Sequence, residues 1–129
     1  MDIKTKAVQP TSRIELRDAN DEIMEGVYVT VYGPGSKQYA AAQARQQNRM
    51  IDKLKSKGKT EQTAEQKAAE TAEFLADVTV KFEGLEYDSL TGRELAIAVY
   101  KDVTIGFISD QVAKFVGDWS NFTKASTTN

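Results

Sequence analysis

The residues best placed to do chemistry lie in Gly33-Pro34-Gly35-Ser36-Lys37. That stretch follows the alternating run Val27-Tyr28-Val29-Thr30-Val31-Tyr32 and precedes an alanine-rich segment. Strand, glycine turn and helix N-terminus is the order in which backbone amides cradle a phosphate. The spacing does not support a phosphate site. A dinucleotide fingerprint needs a third glycine, and Gln38 stands in its place. A P-loop needs four residues between its glycines and then Gly-Lys-Ser/Thr. Both folds also need repeated strand–helix units, and the chain carries only one. The stretch therefore reads as a corner, in which Pro34 fixes the turn, the glycines take unusual dihedrals and Ser36 caps a helix. No nucleotide is expected to bind. The acidic segment Asp18 to Glu22 fails as a calcium loop counted from Asp18, because Ile23 occupies the glycine position and Val29 the glutamate position. It reads as a polar hairpin turn. Between Arg45 and Lys59 there are six basic residues (Arg45, Arg49, Lys53, Lys55, Lys57, Lys59) against one acid, Asp52. No aromatics interleave with them, so a solvated helix face or a patch meeting an acidic partner fits better than a nucleic-acid site. For catalysis the remaining carboxylate candidates are Asp88 and Glu94, and nothing in the sequence converges on them.

Composition narrows the chemistry further. The chain has 129 residues, 40% hydrophobic and 28% charged, which suits one ordinary globular domain. Cysteine and histidine are both absent. That removes disulfides, thiolate nucleophiles, Ser-His and Cys-His pairs and the common zinc and haem sites, so no enzyme, metal or cofactor is expected. The net charge of -2 argues against a dedicated nucleic-acid binder. No apolar run approaches the roughly 20 residues of a membrane span, and the expected location is the cytoplasm.

The elements that must position these residues are mainly α-helical, in an α+β arrangement with one N-terminal β-hairpin followed by about four helices. Residues 1–12 read as a loose leader, 13–122 as the single domain and 123–129 as a disordered tail. Arg13 to Leu16 alternates, and so does Val27 to Tyr32, where the valines share one face and Tyr28 and Tyr32 the other. Gly26 marks a bulge or the start of the second strand. A first helix runs from Ser36 to about Lys57, with Ala40, Ala44, Ile51 and Leu54 as its apolar face and Gly58 as its stop. A mobile, lysine-rich connection leads to a second helix after Thr63, ending near Val78, with Ala64, Ala68, Ala72 and Leu75 inward. From Phe82 a glycine-containing loop leads to a short helix over Arg93 to Tyr100, capped by Thr91. The last helix, about Thr104 to Asp118, carries the stripe Ile108, Val112, Phe115, Val116 and Trp119. Phe115 and Val112 read as core. Trp119 and Phe122, close to the chain end, read as partner contacts.

Three segments carry a family resemblance. Gly33, Pro34, Ser36 and Tyr39 form the first, with Gly35 where aspartate is usual. Phe82, Glu83, Gly84 and Leu85 form the second, with Phe82 for the usual tryptophan. Gln111, Val112, Phe115, Asp118, Asn121 and Phe122 form the third. In this order the chain resembles the tail assembly chaperones of long-tailed bacteriophages. The resemblance implies a non-enzymatic protein of the host cytoplasm that binds the tape measure protein, recruits tail tube subunits before polymerisation and is absent from the finished virion. It also implies self-association in rings or spirals, and a longer product made by ribosomal frameshifting. Tyr28, Tyr32, Tyr39, Trp119 and Phe122 are the expected partner-interface residues, and Arg45, Arg49, Lys53 and Lys55 the expected basic patch. The alternative is a small virion structural protein, a tail tube or head-tail connector subunit. A tube subunit is expected to be β-rich beyond Ser36.

Overall fold

The computed structural model describes residues 1–57 and 63–124. A three-stranded antiparallel sheet in the order β1-β2-β3 is covered on one face by helices. Its elements are β1 (Thr11–Arg17), β2 (Ile23–Tyr32), α1 (Lys37–Lys57), α2 (Ala64–Val78), β3 (Thr79–Glu83), α3 (Gly92–Lys101) and α4 (Gly106–Val116). The class is α+β with an N-terminal hairpin and four helices. Beyond Ser36 the only strand among the described residues is the five-residue β3.

Period-two patterning explains the hairpin. Ser12 faces Val31 and Ile14 faces Val29 on the covered side, while Arg13 faces Thr30 and Glu15 faces Tyr28 on the other. Leu16, Val29 and Val31 are fully buried. The register slips between Glu15 and Arg17, where Gly26 takes a left-handed φ of 78° and donates its N–H to Glu15 Oε2 at 3.0 Å. This is the irregularity Gly26 leads one to expect. The connection is a polar turn in which Asp18 Oδ1 accepts from the Asn20 and Glu22 amides.

Three expectations need correction. First, order begins inside the expected leader. β1 starts at Thr11, Val8 packs on the core, and the Gln9 amide donates to the Phe122 carbonyl at 2.7 Å. Second, β3 follows α2 with no glycine or proline between them. The Thr79 hydroxyl donates to the Leu75 carbonyl at 2.7 Å and lies 2.6 Å from the Tyr100 hydroxyl. A helix end closed by a threonine side chain leaves no turn signal to read. Third, α1 does not bury its predicted face. Ala40, Ala44, Ile51 and Leu54 are exposed, whereas Tyr39, Ala42, Gln46, Arg49 and Lys53 point inward. The connection expected to be mobile lies largely outside the described residues, as does Gly58.

The core is one cluster drawn from every layer: Leu16, Val29, Val31, Leu75, Val78, Val99, Val112, Val116 and Phe122 are its largest fully buried members, joined by Tyr100 and Ile108. α2 begins with a capping box between Thr63 and Gln66 and buries Ala72 and Leu75, though Ala64 stays exposed. Thr91 makes no side-chain cap to α3, which buries Ala96, Val99 and Tyr100. Gly117 ends α4, so the chain turns out of the helical stripe. The next 3₁₀ turn, Trp119–Phe122, puts Phe122 inside and Trp119 outside.

Candidate partner surfaces

The corner after β2 is closed by side chains. Ser36 Oγ accepts from the Tyr39 amide at 3.1 Å and donates to the Gly33 carbonyl at 2.8 Å, so it caps α1 as expected. The glycines, however, do not take left-handed dihedrals. They are there for close approach. A Cβ on Gly33 would lie 2.3 Å from the Phe122 ring, and one on Gly35 would lie 2.6 Å from Val8. Phe122 therefore fills the space beside the corner and tilts against Phe115 at 5.6 Å between centroids. With 0% exposure it is core, not the partner contact expected from its place near the chain end. Trp119, 57% exposed, stays on the surface beside Gly35.

The basic patch is an internal seam. Arg49 Nη2 lies 2.7 Å from Glu70 and its Nε 2.9 Å from Glu73, both on α2. Lys53 approaches Glu70 at 3.5 Å, and Arg45 approaches Asp77 at 3.2 Å. Arg93 of α3 completes the cluster by pairing with Asp77 from the other side. Glu70 hydrogen-bonded to Arg49 raises that guanidinium above its ordinary value, against the opposing effect of burial. The acidic partner that the sequence suggested for Arg45, Arg49 and Lys53 is thus α2 of the same chain. Lys55 remains exposed. The signal was present: 45, 49 and 53 step by four along one helix, and 70, 73 and 77 along the next.

Tyr28 lies on the uncovered side of the sheet and Tyr32, at the end of β2, packs against the core cluster, both half-buried. The Arg13 guanidinium stacks 3.6 Å over the Tyr28 ring and forms a two-pronged pair with Glu83 at 3.1 Å. Tyr39 is also half-buried and meets Phe74 edge-on at 5.7 Å. These three tyrosines serve the subunit's own packing with part of each ring left outside. Val29 and Val31, on the covered face, have no exposed surface at all.

A concavity of about 690 Å³ lies between β3, the 84–91 loop and α3. Asp88 and Ser89 of that loop both have positive φ. Glu94 lines a separate shallow depression with Arg93, Ile97 and Ala98, and Asp88 lines neither of these two concavities. Tyr87 donates to Asp102 at 2.9 Å, and Asp102 also caps the next turn through Thr104. The Thr104 hydroxyl and amide, with the Tyr87 hydroxyl, hold the Asp102 carboxyl below its usual range. Among the described residues no carboxylate cluster is arranged to hold a metal, and no helix is long and apolar enough to cross a membrane.

Large apolar side chains are left outside in one place that sequence reasoning had put inside: Ile51 and Leu54 on α1, 49% and 45% exposed, with Met50 beside them at 55%. Comparison with known proteins adds no name to these surfaces, since no protein-family model, curated protein or solved structure matches the chain.

Proposed function

We propose that the chain is a phage tail assembly chaperone, acting in the bacterial cytoplasm to hold the tape measure protein and recruit tail tube subunits. The observation that carries this reading is that residues of all three resembling segments do fold-keeping jobs, and that the first and third segments meet. Gly33 of the first lies against Phe122 of the third. Glu83 of the second is held by Arg13, and Gly84 sits where a Cβ would lie 2.0 Å from the Gly26 carbonyl oxygen. Gln111 of the third brackets the Arg17 backbone, accepting its N–H at 2.8 Å and donating to its carbonyl at 2.7 Å. Asn121 donates to the Phe115 carbonyl at 3.0 Å. Short motifs matched by chance have no reason to fall on contacts of this kind, and the Gly33–Phe122 contact makes the first and third one joint.

The exposed Trp119 edge beside that joint is the candidate contact for the tape measure protein, since a large aromatic on an interface typically dominates its energetics. Co-expression of the tagged chain with the tape measure and tail tube proteins of its phage should give co-elution of the tape measure protein. Trp119→Ala should reduce that co-elution about tenfold or more with an unchanged circular dichroism spectrum. Finished tails analysed by mass spectrometry should lack the chain. Stoichiometric recovery from purified virions would overturn the reading in favour of a structural subunit.

A further inference from the structure

The two edges of the sheet are finished differently. Along β1 the chain closes its own edge: the Gln9 amide donates to the Phe122 carbonyl just before the strand, and Gln111 brackets the Arg17 backbone at its far end. Along β3, among the described residues, no backbone group outside the sheet bonds to the backbone of Val80, Lys81, Phe82 or Glu83. An edge strand turns alternate N–H and C=O groups away from its one partner, and left bare they are a template for another strand. The concavity of about 690 Å³ runs along this bare edge. Thr79, Val80, Lys81 and Phe82 all line it. Successive side chains of a strand point to opposite faces, so a cavity touched by consecutive residues lies along the edge.

We propose that this edge binds an extended segment of another polypeptide as a fourth strand, with apolar residues at alternate positions and an acidic residue between them. Bare backbone donors and acceptors in a row have one complement, a second extended backbone. The far wall of the groove is apolar, with Leu85 and Leu90 from the loop and Leu95 from α3. Val80 adds to it from the strand. It is the extra residue of a bulge, exposed and without an opposite number on β2. Every second side chain of an added strand faces this wall. A strand matching the five residues of β3 spans roughly 17 Å, so a seven-residue peptide covers the edge with a residue over at each end.

Charge selects the intervening residue. Lys81 lies opposite Thr30 on the uncovered face and is exposed. Its ammonium is 3.9 Å from Glu83, a carboxylate that Arg13 already holds by two prongs. The cross-strand neighbour that suits Lys81 on an added strand is therefore acidic. The other charges of the lining are Glu86, on the loop, and the Asp77–Arg93 pair. A second copy is the wrong occupant. Two β3 strands paired antiparallel about their middle residue would set Lys81 against Lys81, like charges directly opposite. An edge lysine of this kind keeps identical strands apart and leaves the edge open to an acidic one. The inference does not rest on the tail-assembly reading, which places its partner at Trp119, and either can fail without the other.

The probe is fluorescein-labelled Val-Thr-Val-Glu-Val-Thr-Val with blocked ends, whose valines share one face. Fluorescence anisotropy with the full chain should show saturable binding. Methylating the backbone nitrogens of one alternate set of peptide residues should abolish it and methylating the other set should not, because an added strand bonds to β3 through one set only. These two peptides leave the protein untouched, so they decide the matter whatever a variant does to the fold. A scrambled peptide without the alternation should bind at least about tenfold more weakly. Val80→Asp and Leu90→Asp, at positions outside the core cluster, should each lower affinity about tenfold or more with unchanged circular dichroism. Lys81→Glu should weaken binding roughly two- to fivefold, the scale of a cross-strand ion pair, and a peptide with lysine in place of glutamate should recover it. No saturable binding at millimolar peptide, equal effects of the two methylated sets, equal binding of the scrambled peptide, or indifference to both aspartate variants would each overturn the proposal. So would a dimer in sedimentation equilibrium that Val80→Asp dissociates, since a second copy would then occupy the edge.

Discussion

Gly33 and Phe122 form the contact on which the corner depends. The ring occupies the volume a Cβ would need, and Phe122 also receives the Gln9 amide on its carbonyl, so the N-terminal segment, the corner and the Trp119–Phe122 turn are fixed together. Truncating a fully buried phenylalanine typically costs about 3–5 kcal/mol, from lost transfer energy and the cavity left behind. Gly33→Ala inserts a methyl group into the ring at a distance no real structure keeps, and overpacking of this kind costs roughly 1–3 kcal/mol. The two changes remove each other's problem. The methyl of Gly33→Ala enters the cavity that Phe122→Ala opens, so the double variant should be less destabilised than the two single costs added, by at least about 0.5 kcal/mol. Urea unfolding of the four proteins measures this. Strict additivity would mean that the corner and the ring relax independently. At this scale the sequence was legible for residue roles and misleading for residue places. Ser36 reads as a cap and is one. Phe122 reads as a terminal aromatic free to meet a partner, because nothing in the linear order shows that Gly33 leaves a hole of its shape.

Among the elements, the strands and helices were legible wherever periodicity was backed by a punctuating residue, and obscure where a side chain did the punctuating. β1, β2, α1 and α2 follow from alternation, caps and glycines, whereas the cap expected of Thr91 on α3 is not formed. β3 was hidden because Thr79 ends α2 and begins the strand in the same residue. α1 was located correctly and rotated wrongly. A hydrophobic count places Ile51 and Leu54 inside, yet α2 presents Glu70, Glu73 and Asp77 to it, and complementary charge decides which face docks. Glu70 is buried, so the seam is sensitive to losing a partner. Breaking a buried pair by removing one member typically costs roughly 3–5 kcal/mol. Arg49 retains some exposure and Lys53 still reaches Glu70, so Arg49→Leu should cost less, about 2 kcal/mol. Pairing the change with Glu70→Leu should recover most of that loss, since two apolar groups replacing an ion pair are often neutral. Thermal unfolding of single and double variants decides it. A double variant as unstable as Arg49→Leu would show that the seam holds by more than charge.

Across the whole molecule the two kinds of packing are segregated. The sheet, α2, α3, α4 and the last turn share one apolar cluster, into which α1 inserts Ala42 as its only fully buried residue among those described. Beyond Ala42, α1 is held to α2 by the ion pairs of Arg45, Arg49 and Lys53. Apolar burial persists in salt, whereas partly exposed ion pairs are screened as the Debye length falls from about 10 Å at 0.1 M to about 3 Å at 1 M. The two parts should therefore open separately. In native-state hydrogen exchange the amides of α1 after Arg45 should exchange through a local opening well below the global unfolding energy. Raising sodium chloride from 0.1 M to 1 M should accelerate that exchange by roughly threefold to tenfold, the effect of about 1 kcal/mol, while amides of β2 and α4 keep their protection. Exchange of α1 that tracks β2 and α4 at every salt concentration would mean that the seam and the core form one cooperative unit, and that the charged face of α1 contributes more than screened ion pairs provide.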